Sequence, residues 1–153
     1  MTTDHIALRQ VAQAIAATCR QADPSLEVYH YLAPSPGVPA AMVTMELDFM
    51  DVHSMDRMEF QLWRVWVIVQ LGDPDEAALQ LLDYVDDGGA TSIRAAFRAP
   101  DAAWRAVTGL SEISYFGFGR MPTSVQTPGW VSFGGPEFWG VSLIFRVRYG
   151  EGA

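Results

Sequence analysis

The segment EFQLWRVWVIVQL, residues 59–71, constrains the fold more than any other stretch. It is rich in β-branched and aromatic residues, which favours strand, and over its second half it is apolar on both faces. A strand of that kind needs cover on both sides for part of its length, which places it at the centre of a sheet. A second segment, FWGVSLIFRVRY at 138–149, alternates with period two. Trp139, Val141, Leu143, Phe145, Val147 and Tyr149 share one face, and Ser142, Arg146 and Arg148 share the other. Shorter runs at 26–31 (LEVYHY), 40–47 (AAMVTMEL) and 107–119 (VTGLSEISYFGFG) supply further strands. Residues 120–136 read as a long loop, or as a loop holding a short strand at 129–133.

Helices precede and interrupt these strands. Over 3–20, Thr3 or Asp4 serves as cap, and Ile6 or Ala7, Val11, Ile15 and Cys19 recur at helical spacing. Arg9, Gln13 and Arg20 take the opposite face, and Asp23-Pro24 ends the helix because proline disfavours helix in the residue before it. The stretch GDPDEAALQLLDYVDDGGATSIRAAF, 72–97, predicts two more. Asp73 is an N-cap, Pro74 the first helical residue, and Glu76 stands three residues after the cap, a capping box with Asp in place of Ser or Thr. Ala78, Leu81, Leu82 and Val85 are expected to face the sheet, while Glu76, Gln80, Asp83 and Asp87 form a solvated stripe. Gly88-Gly89 is expected to stop the helix in a left-handed conformation. The order α-β-β-β-α-α-β-β predicts one α+β domain over 1–153: a single mixed or antiparallel β-sheet of about five strands, with helices packed on one face.

A chain of 153 residues suits one domain, and a hydrophobic half with 18% charged residues is globular in composition. The single cysteine, Cys19, forms no internal bridge and on its apolar helix face reads as an inert buried thiol. No signal-peptide pattern and no membrane-length apolar run is seen, so a soluble protein without an export address is expected. The net charge is −8, and all ten basic residues are arginine. They are scattered from Arg9 to Arg148, only Arg146 and Arg148 lying close together, which argues against binding a nucleic-acid backbone.

Chemical motifs are missing. Asp73, Asp75, Glu76, Asp83, Asp86 and Asp87 crowd one stretch, yet the Asp-x-Asp start lacks the other ligands, the mid-loop glycine and the terminal Glu of a calcium loop. His5, His30 and His53 show no metal-binding spacing, and no nucleophile elbow, P-loop or dinucleotide fingerprint occurs. Tyr29, His30 and Tyr31 are the one mildly suggestive polar cluster for a ligand-binding or enzymatic alternative. No catalytic residue, cofactor or metal is expected, and the chain does not read as an enzyme. Apolar residues in irregular segments say more: Met50, Val52, Met55 and Met58 in one, and Val125, Trp130, Val131 and Phe133 in the other. They either cap the core or form a subunit or partner interface, where Met, Trp and Phe are enriched.

The stretch around the acidic helix carries a resemblance. EFQLWRVWVIVQL, a short acidic turn, EAALQLLDYVDDGGATSIRAAF and ISYFGFG resemble the tail terminator proteins of long-tailed phages, in the version found in phages of actinobacteria. The matching parts are Leu82-Asp83-Tyr84-Val85, Gly88-Gly89, Ser92-Ile93, Ala96, Tyr115, Gly117 and Gly140. The N-terminal helix, short strand, proline-rich PSPGVPAAMV and second strand fit the same layout, and residues 120–136 are longer than the pattern. The resemblance implies a virion protein at the head–tail junction, assembled in the host cytoplasm. It implies a homohexameric ring that ends growth of the tail tube, contacts the major tail tube protein and joins the head connector or stopper. DNA would pass through the lumen without specific binding. Glu76, Asp83 and Asp87 would then line the lumen or face solvent, in a ring of roughly −48 charge. The nearest alternative is another neck protein, an adaptor or stopper.

Overall fold

The computed structural model describes residues 8–30, 37–48, 60–69, 73–118, 129–132 and 137–149. Helix α1 (Leu8–Ala22) is followed by strands β1 (Glu27–Tyr29), β2 (Ala40–Asp48) and β3 (Phe60–Val69). Helices α2 (Pro74–Val85) and α3 (Ile93–Arg98) and a 3-10 turn (Ala103–Ala106) come next, then strands β4 (Leu110–Phe118), β5 (Gly129–Ser132) and β6 (Glu137–Tyr149). The α+β class and element order are those the patterning predicts, with the 3-10 turn added and the 129–133 alternative realised as the four-residue β5. The expected start of α1, with Thr3, Asp4, His5, Ile6 and Ala7, lies outside the described residues.

One sheet runs β1-β2-β3-β6-β4. Among the described strands only β1 and β2 pair parallel; the other pairings are antiparallel. β3 lies between β2 and β6, the central place that its two apolar faces demand. On one face Ala41, Val43, Trp63, Val65, Val67, Val141, Leu143, Phe145 and Val147 meet the helices. The helices add Val11, Ile15, Leu81, Tyr84, Ile93 and Phe97 to the same core. On the other face a smaller cluster gathers Ala40, Met42 and Ile68, with Tyr29, Val38 and Trp66 packed against it. The cover on both faces is therefore real but unequal.

Side-chain bonds lock the helices to one another. Thr18 Oγ1 donates to Ala14 O at 2.8 Å and accepts from Trp104 N at 3.2 Å. Gln21 holds the entry to the 3-10 turn, donating to Asp101 O and accepting from Ala103 N. Trp104, 3% exposed, donates its indole N–H to Phe97 O at 2.8 Å. Cys19 lies fully buried among these contacts, and burial pushes its thiol up to about 12. In the native protein Cys19 is expected to react with a thiol reagent at pH 8 at least about 1,000-fold more slowly than in urea, because thiolate and access are both suppressed. Comparable rates in the two conditions would remove Cys19 from the core.

α2 corrects two details. Asp73 caps it as expected, accepting from Asp75 N at 3.2 Å, and proline opens the helix. The face toward the sheet, however, is Ala77, Leu81, Tyr84 and Val85; Leu82 is 44% exposed and Ala78 only partly buried. Tyr84 turns the helix, since its hydroxyl donates to Asp23 Oδ2 at 2.6 Å. The second correction concerns the stop: the one positive-φ glycine among the described residues is Gly109, with φ 100°. α2 ends instead through an extended Asp86 whose N–H bonds Leu82 O, and Gly89 serves by close approach to the helix.

The Tyr84–Asp23 bond should be visible in the pH dependence of stability. Burial works to raise the Asp23 pKa, but hydrogen bonds from Tyr84, the Ser25 hydroxyl and the Ser25 N–H together hold it below the usual carboxylate value. A carboxylate lowered in this way stabilises the fold fully above about pH 4, and the contribution is lost as pH falls through the lower folded value. Tyr84→Phe is expected to flatten acid destabilisation below about pH 4, at a cost near neutrality of about 1–2 kcal/mol. An unchanged pH profile would show that the bond contributes nothing.

Candidate functional site

β4 is an edge strand: among the described strands it pairs only with β6. Beside it, between α3, the 3-10 turn and the strand itself, runs an open cleft of about 860 Å³. Four arginines line it: Arg94 and Arg98 from α3, Arg105 from the 3-10 turn and Arg148 from β6. Among the described residues its one acidic lining residue is Glu112.

The local chain explains how these side chains arrive. Ser92 caps α3, accepting from Ala95 N at 3.0 Å, and Ile93 and Phe97 anchor the buried face of the helix. Positions 94 and 98, one helical turn apart, therefore share the outer side. Arg94 lays its guanidinium 4.1 Å from the Tyr115 ring centroid, and its buried Nε has no described hydrogen-bond partner. Arg98 pairs with Asp87 at the end of α2. Arg105 stacks on Trp104 at 4.5 Å and donates to Ala99 O and Arg98 O. Arg148 Nε stands 3.8 Å from Glu112 Oε1, its partner across the ladder. Tyr115 is pushed up by burial, with Arg94 opposing the shift.

Four guanidiniums thus surround one cleft and meet, among the described carboxylates, Glu112 and Asp87. Stacking and backbone acceptors hold two of them in place, a preorganised arrangement that suits carboxylate or phosphate oxygens. Four of the ten arginines, dispersed along the sequence, thus come together in the fold. Arg94 and Arg98, four apart on either side of an apolar anchor, are the one legible hint of this gathering.

The expected sites fall elsewhere or out of view. Glu76, Asp83 and Asp87 are exposed, as a solvent-facing stripe requires, although Asp87 is engaged by Arg98. Met50, Val52, Met55, Met58, Val125 and Phe133 lie outside the described residues, as do His5, His53 and Tyr31. Trp130 and Val131 lie in β5, where the register sets them opposite Trp139 and Phe138 of β6. His30 is exposed and borders a second cleft of about 620 Å³ with Leu8, Ala12, Met45 and Trp63. Tyr29 accepts at its hydroxyl from Gly37 N at 3.1 Å. Among the described residues no three His, Cys, Asp or Glu side chains are grouped to hold a metal, and no helix is long and apolar enough to cross a membrane.

No family model and no curated protein matches the chain.

Proposed function

We propose that this chain is a structural virion protein, a tail terminator that closes the tail tube as a ring and joins it to the head connector. The observation that carries the reading is the form of β6. This strand runs for 13 residues, and β4 meets only its second half, from Leu143 to Tyr149. Its first residues, Glu137–Gly140, pair instead with β5. β3 already occupies the other side of Trp139 and Gly140, so β5 takes the same edge of β6 as β4. The result is a two-stranded ladder carrying Trp130 and Val131, next to an edge strand whose outer side pairs with none of the described strands. Such an edge presents backbone N–H and C=O groups to which a strand of another chain can add. Contacts between unlike patches form a ring where the rotation between neighbours closes. The sequence resemblance supplies the place of that ring in a virion.

The reading is tested by adding the purified protein to tail tubes that lack a terminator. Sixfold rings seated on one tube end, with tube growth arrested, are the expected result. Rings that ignore tube ends and bind the connector instead would favour a neck adaptor or stopper. A protein that forms no ring in either setting overturns the proposal.

A further inference from the structure

The arginine cleft has a counterpart on the same chain. At the start of α2 stand Asp73, Asp75 and Glu76, all exposed and in no ion pair with a described cation. Leu79, one turn on from Glu76, is 64% exposed, and Leu82, a further turn on, is 44% exposed. The acidic helix start therefore has two uncovered leucines behind it, an apolar part beside a charged part. The Asp87–Arg98 pair shows that the cleft adjoins the opposite, C-terminal end of this helix. A 12-residue helix spans about 18 Å, so the acidic patch and the basic cleft are separate surfaces.

We propose that the cleft receives the acidic start of α2 from a second copy of this chain. The contact is head-to-tail: each subunit offers its carboxylates to one neighbour and its arginines to the other. This rests on the ring reading above and names its subunit contact. Within one chain Arg98 and Arg148 stand against Asp87 and Glu112, while Arg94 and Arg105 make no ion pair with a described carboxylate, and these two favour the neighbour's acidic residues. Guanidinium forks match carboxylates in two-point hydrogen bonds. A contact between unlike patches also has a direction, which a closed ring requires.

Two charge reversals test the contact, Arg94→Glu in the cleft and Glu76→Arg at the helix start. Self-association is followed by sedimentation velocity at low salt and on tube ends by electron microscopy, with circular dichroism as the folding check. Wild-type association is expected to weaken at about 1 M salt, where charges more than about 3 Å apart are screened. Each reversal alone should weaken association at least about 10-fold, and an equimolar mixture of the two should restore it, because complementary charges then meet at the mixed contacts. Should Arg94→Glu not fold, Arg94→Gln removes the charge while keeping a polar side chain and should weaken association in the same direction. If the folded variants assemble like the wild type, the contact is wrong and the ring stands. If the wild type assembles neither alone nor on tubes, both readings fall. Arginine-dependent binding of a DNA duplex in place of self-association also overturns the contact.

Discussion

Phe145→Ala is expected to lower the free energy of unfolding by about 3–5 kcal/mol. Phe145 is fully buried at the middle of the helix-covered face, between Trp63 on β3 and Tyr115 on β4 in the strand register. Its ring stacks on Phe97 with centroids 4.2 Å apart and meets Tyr115 edge-on at 6.0 Å. Phe97 is 1% exposed, so the stack joins α3 to the sheet with no solvent between them. Truncation removes the transfer free energy of the ring and leaves a cavity that strands on both sides prevent from closing. Since domains of this size are stable by about 5–15 kcal/mol, the loss is a large share of the total. A urea titration should show a lower midpoint at unchanged slope, and Phe145→Leu should cost much less. A truncation costing under about 1 kcal/mol would mean that the aromatic cluster is not part of the core.

The position of Phe145 is legible in the sequence alone. Period two in 138–149 assigns Val141, Leu143, Phe145 and Val147 to one face, and all four are at most 1% exposed. β3 is equally readable, because β-branched residues on both faces leave few places except the centre of a sheet. α2 is readable as a helix but not in its rotation. EAALQLLDYV offers more apolar positions than one stripe can use, and the choice falls to Tyr84, whose partner Asp23 is 61 positions away in the chain. The buried polar residues are hidden for a similar reason. Arg64 is 6% exposed because its guanidinium bonds Ser142 Oγ at 3.0 Å and stands 5.0 Å from the Trp66 ring centroid. The arginine cleft is the least legible feature, since Arg94, Arg105 and Arg148 meet only after three elements have packed against one edge.

Gly89→Ala is expected to destabilise the protein by at least about 2 kcal/mol, while Gly88→Ala is expected to be neutral or slightly stabilising. Neither glycine is at positive φ, so the difference is one of space. A Cβ on Gly89 would stand 2.2 Å from the carbonyl oxygen of Asp83 and 2.9 Å from its carbon. These are backbone atoms of α2, which give way only if the helix or the connection moves. A Cβ on Gly88 meets nothing nearer than Asp86 Oδ2 at 4.0 Å, and alanine there narrows the unfolded ensemble. Gly89 also ties the connection together, donating to Asp86 O at 3.0 Å and accepting from Ser92 N at 3.2 Å. Ser92 caps α3, so a shift at Gly89 passes to the helix that presents Arg94 and Arg98. Thermal melts of the two variants should therefore separate clearly. If Gly89→Ala folds, it should also weaken self-association at low salt, whereas Gly88→Ala should leave it intact. Equal melting temperatures for the two would show that α2 and the connection do not approach as closely as the structure has them.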